Sequence, residues 1–272
     1  RAPWPKSTPA HEPFRQETSI ARALTLVHGL YFEAGRGGDH GPALRQRREQ
    51  GFKEHGPAMG VSSYSWIQAG VGRRANRFLR RLRGTDVPVD AIELIELEPG
   101  AFAAGFDGSS WGALAGCADY GLDAERSFVL VGCPLLLVDG PASGMRVLWF
   151  GNGLPRLSEA EFIEHYTGHH GPLVASNAAQ MGLNRYLQIP SGEADLRQAL
   201  LAAGMGQGAA PAVFAELYLG RPAISLDGLR RWPAALRTIA EDEKRHIEFG
   251  RSMIMLAGNS QGEGPDHGRW RR

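Results

Sequence analysis

The sequence is poor in cysteine, in uninterrupted apolar runs and in net charge. Only two cysteines, Cys117 and Cys133, occur in 272 residues. Two thiols in a chain of this length exclude a disulfide framework and fit a reducing compartment, so a cytoplasmic protein is expected. No CxxC and no Cys/His zinc spacing is present, so no metal site is expected. The longest apolar run, 128–138, contains a Gly and a Pro and is about half of the roughly 20 residues that cross a bilayer. No membrane partner is expected. The 30 Lys and Arg nearly balance 29 Asp and Glu, for a net charge of +1. That leaves no whole-molecule field for nucleic acid. Glycine, by contrast, is abundant, at 36 residues. None of the Gly-rich stretches follows a strand and opens a helix as GxGxxG with a downstream acid, so no nucleotide is expected. With 43% hydrophobic and 22% charged residues, the chain has a globular balance and can bury one large core or two ordinary ones.

Residues 1–19 hold four prolines without an apolar period and read as an extended arm rather than a secretory signal. Residues 261–272 are glycine-rich, polar and basic, and read as a disordered tail. Arg45, Arg47, Arg48 and Lys53, followed by Arg73, Arg77, Arg80 and Arg81, read as a solvated basic face. The alternative is an anion or carrier-protein surface. The Gly204–Gly208 segment around Met205 reads as a surface loop or as a lid over a cleft.

Four pieces recur in the same order in the two halves. A short apolar run ending in aromatics comes first, at 23–32 and again at 145–150. A helical pattern ending in His-Gly-Pro comes second, at His55-Gly56-Pro57 and His170-Gly171-Pro172. The second copy opens on a capping box, Ser158 with Glu161, and spaces Phe162, His165 and Tyr166 on one helical face. Next comes a strand carrying aromatic, aliphatic and Gln: Trp66-Ile67-Gln68 and Tyr186-Leu187-Gln188. A strand leading to proline is fourth, and aligning Pro99 with Pro222 sets Glu93 on Glu216. A helical stretch and a final strand beginning Arg-Ser close each half, at 126–132 and 251–258. From Gly56 to Gln68 is 12 residues, whereas Gly171 to Gln188 is 17, so the first helix is expected to be shorter by more than a turn.

Each half thus reads as a ferredoxin-like unit, an antiparallel sheet with helices on one face. Such a sheet leaves its other face bare, and two in one chain can cover each other. The expected fold class is α+β: two ferredoxin-like repeats, 20–140 and 141–260, packed sheet to sheet. The chain would be a monomeric pseudo-dimer or a homodimer.

The string EFIEHYTGHHGPLV (161–174), then NRYLQ (184–188), FAELYL (214–219) and EDEKRHIEFGRSMIMLAG (241–258), resembles the EthD-domain family of the dimeric α+β barrel superfamily. The first half keeps His55-Gly56-Pro57, Gln68 and Glu93-Leu94 but lacks the Tyr. The resemblance implies a dimeric α+β barrel formed within one chain, with any site in the second half. Relatives include dehydratases and decarboxylases of aromatic polyketides, cofactor-free monooxygenases, cyclases and haem-handling enzymes. One fold with many chemistries leaves function to the site.

His170 is the His of the family's His-x-Pro, and His169 precedes it. Histidine exchanges a proton near neutral pH, so His170 is either a general acid/base or an anchor for the chain where the helix turns. Neighbours on a helix point about 100° apart, so one of the pair faces in. Tyr186 and Gln188 share one sheet face, and Glu216 and Tyr218 share a face of their own strand. If the four converge, Tyr186 and Glu216 would act in acid/base chemistry with His170. Otherwise they pair with each other between the sheets. Tyr166, His169, Gln188, Tyr218 and Trp149, with His55 and Trp66 in the first half, are candidate substrate contacts. The tryptophans serve equally well as core. The expected function is a cofactor-free enzyme acting on a hydrophobic aromatic or polyketide-like molecule by acid/base chemistry such as dehydration, decarboxylation or isomerisation. The alternatives are a haem or cofactor-free oxygenase of the same superfamily and a non-catalytic binding or assembly module.

Overall fold

The computed structural model describes residues 23–33, 37–68, 89–102, 105–117, 121–220, 253–257 and 269–271. The arm 1–19, the arginines at 73–81 and the acidic turn at 241–243 lie outside them. The first half contributes strands β1 (Leu24–Leu30), β2 (Val61–Gln68), β3 (Ala91–Leu97) and β4 (Phe128–Gly132). The second contributes β6 (Met145–Gly151), β7 (Leu183–Pro190), β8 (Val213–Leu219) and β9 (Met253–Ala257). Within each half the order is the same, β2-β3-β1-β4 and β7-β8-β6-β9, and every described pairing is antiparallel. The two repeats are therefore ferredoxin-like sheets, as the recurring sequence pieces imply.

Each sheet has a fifth strand, and it comes from the other half. β5 (Leu135–Val138) leaves the first half after β4 and pairs with β7, while β10 (Arg269–Arg271) pairs with β2. The halves thus exchange edge strands. Two expectations change here. The segment just before residue 140 belongs to the second sheet, and part of the expected disordered tail is an ordered strand. An edge strand presents a row of unpaired N–H and C=O groups, and covering it satisfies them.

The sheets pack face to face. Val27, Ile92, Phe128 and Leu130 of the first meet Leu148, Phe150, Ile189 and Phe214 of the second, all buried. Phe128 and Phe150 meet edge to face at 5.7 Å. Each such side chain contributes about 1.5–3 kcal/mol when fully buried. Gly29 makes the layer possible: a Cβ there would lie 2.4 Å from the Phe128 ring.

The outer face of the first sheet is covered by helix α1 (Gly37–His55) and helix α2 (Gly108–Ala115). Leu44, Arg48 and Phe52 recur every four residues on α1, and all three are buried, so one helical stripe faces the sheet. The shortening expected before the His-Gly-Pro motif falls after it. α1 runs 19 residues, and a single 3₁₀ turn, Gly56–Met59, comes next. In the second half, helix α3 (Glu159–His165), a π turn at Tyr166–His170, α4 (Gly171–Ser176) and α5 (Ala178–Met181) cover the second sheet. The capping box forms as the sequence reads: Ser158 Oγ accepts from the Glu161 amide, and the Glu161 carboxylate accepts from the Ser158 amide.

Helix α6 (Ala194–Ala202) crosses over. Its Leu196 and Leu200, with Met205, enter the core of the first half. Met205 is 0% exposed, while Gly204 and Gln207 beside it are exposed, so the segment is a surface loop pinned to the core by Met205.

Candidate functional site

The second half gathers its candidate residues where the helix changes pitch. From Tyr166 to His170 the backbone widens, and the Gly171 amide donates to the Tyr166 carbonyl five residues back. A π turn inserts a residue and rotates the next stretch of helix, and such turns recur at functional sites. Here it brings Tyr166 and His170 inward together. Their rings stack at 4.9 Å and 17°, and Trp149 also stacks on Tyr166 at 5.1 Å and 13°. All three are buried. The first half runs the same tripeptide the other way. There α1 tightens into the 3₁₀ turn, and His55 stands exposed, 3.9 Å from Glu54.

Below the ring column lies a polar chain. Tyr166 Oη is 3.3 Å from Tyr186 Oη, and Gln188 Nε2 donates to Tyr186 Oη at 2.6 Å. Gln188 is 0% exposed, and its Oε1 has no hydrogen-bond partner. A buried, unpaired amide oxygen costs about 1–3 kcal/mol, so this oxygen stands out beside the motif. The borrowed strand β5 closes the edge, with Leu135 opposite Gln188 and Val138 opposite Tyr186. A Cβ on Gly171 would lie 2.6 Å from Leu137 Cδ1 and 2.9 Å from both Gln188 amide atoms. Gly171→Ala is therefore expected to lower stability by about 1–3 kcal/mol through overpacking. A denaturant titration checks it, and an unchanged midpoint would show that the site yields freely.

His170, Tyr166, Tyr186, Gln188 and Trp149 thus come together. Glu216 and Tyr218 do not join them. Tyr186 lies opposite Leu217 and Gln188 opposite Ala215, and cross-strand partners share a face. Glu216 and Tyr218 therefore point to the inter-sheet side. There Arg146 Nε meets Glu216 Oε1 at 2.5 Å, and Tyr218 Oη donates to the same oxygen at 2.6 Å. His169 is exposed, its ring 5.0 Å from that of His165. Trp66 is core in the first half, its Nε1 buried without a hydrogen-bond partner. The proline alignment of Glu93 with Glu216 is one residue off. Gln68 faces Ala91 and Gln188 faces Ala215, so Glu93 corresponds to Leu217 and sits on the helix side.

That placement creates a network that the sequence reading did not single out. His28 Nδ1, Arg48 Nη1 and Tyr64 Oη each approach the Glu93 carboxylate at 2.8 Å. Arg48 also donates to the Gly116 carbonyl. Arg48 is 2% exposed, so it leaves the expected solvated face. The signals were present: His28 alternates with Leu26 and Leu30, and Arg48 stands midway between Leu44 and Phe52 on α1. Burial alone would raise the Glu93 carboxyl, but Arg48, His28 and Tyr64 outweigh it and hold the group below its usual range. Burial lowers His28 despite Glu93, and burial, then Glu93, raises Tyr64.

Cys117 Sγ lies 3.9 Å from His28 Nε2. Burial, more than any neighbour, pushes its thiol up to about 11, which keeps it protonated and unreactive. A thiol reagent is expected to label Cys133 in the native protein and Cys117 only on unfolding. Two fast-reacting thiols per chain would contradict this. Among the described residues no cluster of His, Cys, Asp and Glu is arranged to hold a metal ion, and no helix is long and apolar enough to cross a membrane.

Residues 154–250 match the EthD domain model. No curated protein matches the sequence at a significant level. Among solved structures, an anthrone oxidase-like protein is 10% identical over 87% of this chain and 90% of that one, with a TM-score of 0.50. A candidate monooxygenase from Lactobacillus acidophilus NCFM is 11% identical over 87% and 93%, with a TM-score of 0.45. A mutant chlorite dismutase from Candidatus Nitrospira defluvii is 11% identical over 89% and 92%, with a TM-score of 0.41.

Proposed function

We propose that this chain, a dimeric α+β barrel whose residues 154–250 match the EthD domain, is an enzyme that moves protons on a hydrophobic aromatic or polyketide-like molecule without a redox cofactor. The observation that carries the reading is the buried Trp149–Tyr166–His170 column beside Gln188, whose Oε1 has no partner. Stacked rings suit a flat apolar substrate. The open end of the Gln188 amide suits a phenol or enol hydroxyl, which donates to an oxygen. Gln188 fixes Tyr186, and Tyr186 fixes Tyr166, so the face presented to the ring is held in place. His170 then takes a proton from an activated carbon or hydroxyl, or returns one to a leaving group. The name of the anthrone oxidase-like structure suggests a reduced tricyclic phenol as a first probe.

Dehydration, isomerisation and cofactor-free oxygenation begin with proton removal and decarboxylation ends with proton return to a carbanion, so proton exchange at carbon is the step to test. The protein would be incubated with an anthrone in deuterated buffer, and exchange at the acidic carbon monitored by NMR. Exchange above the buffer rate supports the reading, and exchange at the buffer rate across a panel of anthrones and polyketide phenols sinks it. The absorbance spectrum and native mass of the purified protein test the haem alternative. A Soret band with a haem-sized added mass would overturn the cofactor-free reading.

A further inference from the structure

The wall beside the Gln188 amide comes from the other half of the chain. β5 pairs with β7, with Leu135 opposite Gln188, Leu136 opposite Leu187 and Val138 opposite Tyr186. Leu137 is the extra residue of a bulge in that register. In plain alternation Leu135 and Leu137 would face the helices, and Leu136 and Val138 the other sheet. A bulge breaks the alternation and re-aims a side chain. Here Leu137 and Val138, though adjacent, both pack against the cluster of Trp149, Tyr166 and Tyr186, whereas Leu136 stands 43% exposed. Leu137 also reaches the amide. The point that a Gly171 Cβ would occupy is 2.6 Å from Leu137 Cδ1 and 2.9 Å from both Gln188 amide atoms. The leucine and the amide therefore converge on one point, and the absent side chain of Gly171 keeps it open. Gln188 is 0% exposed, while Leu137 is only partly buried.

We infer that Leu137 is a specificity-determining residue, which restricts the site to rings with no substituent beside the hydroxyl. The inference rests on the place proposed above for a phenol or enol hydroxyl at Gln188 Oε1. A hydroxyl that donates there brings the adjoining ring carbons up to Leu137. The partly exposed leucine swings aside for a ring hydrogen. A methyl in the same place drives it off the aromatic cluster and into water. In a hydrophobic pocket, a misfit of one methylene discriminates by about 10–200-fold. The first half thus supplies a residue that selects the substrate, through the strand that it lends.

The test titrates the full chain with 2-naphthol and with 1,3-dimethyl-2-naphthol, which carries a methyl on each side of the hydroxyl, by isothermal calorimetry. Wild type is expected to prefer 2-naphthol by about tenfold or more. Leu137→Ala should bring the two affinities within about twofold, and Leu137→Val should fall between. Leu136→Ala, on the same strand but turned away from the amide, should keep the wild-type ratio. A leucine that only packs would weaken both probes alike and leave their ratio alone. An unchanged ratio in Leu137→Ala and Leu137→Val would therefore overturn the assignment, as would no saturation of wild type by millimolar 2-naphthol. The naphthols are bound and not converted, so the proton chemistry fails or stands separately. Anthrone exchange with an unmoved ratio sinks only the role of Leu137, and a moved ratio without exchange sinks only the chemistry.

Discussion

Replacing Glu93 with alanine is expected to remove about 3–5 kcal/mol of stability, the cost of breaking a buried pair from one side. Arg48 would remain 2% exposed and His28 fully buried, both facing the hole left by the carboxylate, and Tyr64 would lose its acceptor. Typical domains are stable by about 5–15 kcal/mol, so the variant should be marginal or unfolded. Glu216→Ala is the internal control. Its partner Arg146 has a side chain 19% exposed and can recover part of its water, while Tyr218 loses an acceptor, so a smaller loss of about 1–3 kcal/mol is expected. Urea titrations of the two variants decide it, and equal losses would mean that the Glu93 network is not the stronger.

The same network sets an acid limit. His28 titrates below its ordinary 6.5 in the folded chain, so below 6.5 the unfolded chain binds the proton first and stability falls with pH. Glu93, held below 4.5, adds a second loss as pH drops through that range. Stability should therefore decline from near pH 6.5 downward, and more steeply below 4.5. In His28→Gln, the upper part of this decline should be absent.

His170→Ala is expected to lower the rate of proton exchange on a bound aromatic substrate by about 10²–10⁴-fold, the usual worth of a positioned acid/base. Binding should weaken much less, because Trp149 and Tyr166 still offer a stacking surface. The exposed His169, changed to alanine, should leave the rate within about twofold of wild type, because it holds no position beside the substrate. A pH–rate profile separates the roles. If His170 only anchors the turn, the variant would lose stability while its profile kept the wild-type shape. If His170 is the acid/base, the limb that reports its ionisation disappears.

Much of this architecture is written in the sequence as repetition. The aromatic–aliphatic–Gln strands and the His-Gly-Pro motifs recur in order, and both sheets result. The exchanged strands β5 and β10 do not show, because four and three residues carry no period of their own and become strands only through β7 and β2. The site is half legible. Tyr166, His170, Tyr186 and Gln188 come from one motif and one alternating strand, and they meet. Glu216 shares their chemistry, but adjacent strands share faces only through their register, and that register sets Leu217 beside Tyr186. The outward turn of His55 and the inward turn of His170 are invisible in a shared tripeptide. They arise from the pitch of the backbone around it.

The exchange of edge strands also orders the chain in time. The partner of β7 is made before β7 itself, so the second sheet can close that edge as soon as β7 emerges. The first sheet cannot. Its β2 ends at Gln68, and the strand that covers it begins at Arg269, about 200 residues later. At roughly 5–20 residues per second of synthesis, the outer edge of β2 waits about 10–40 s for its own cover. During that interval a nascent chain on a neighbouring ribosome presents the same open edge, and crowded polysomes are where this protein would first go astray.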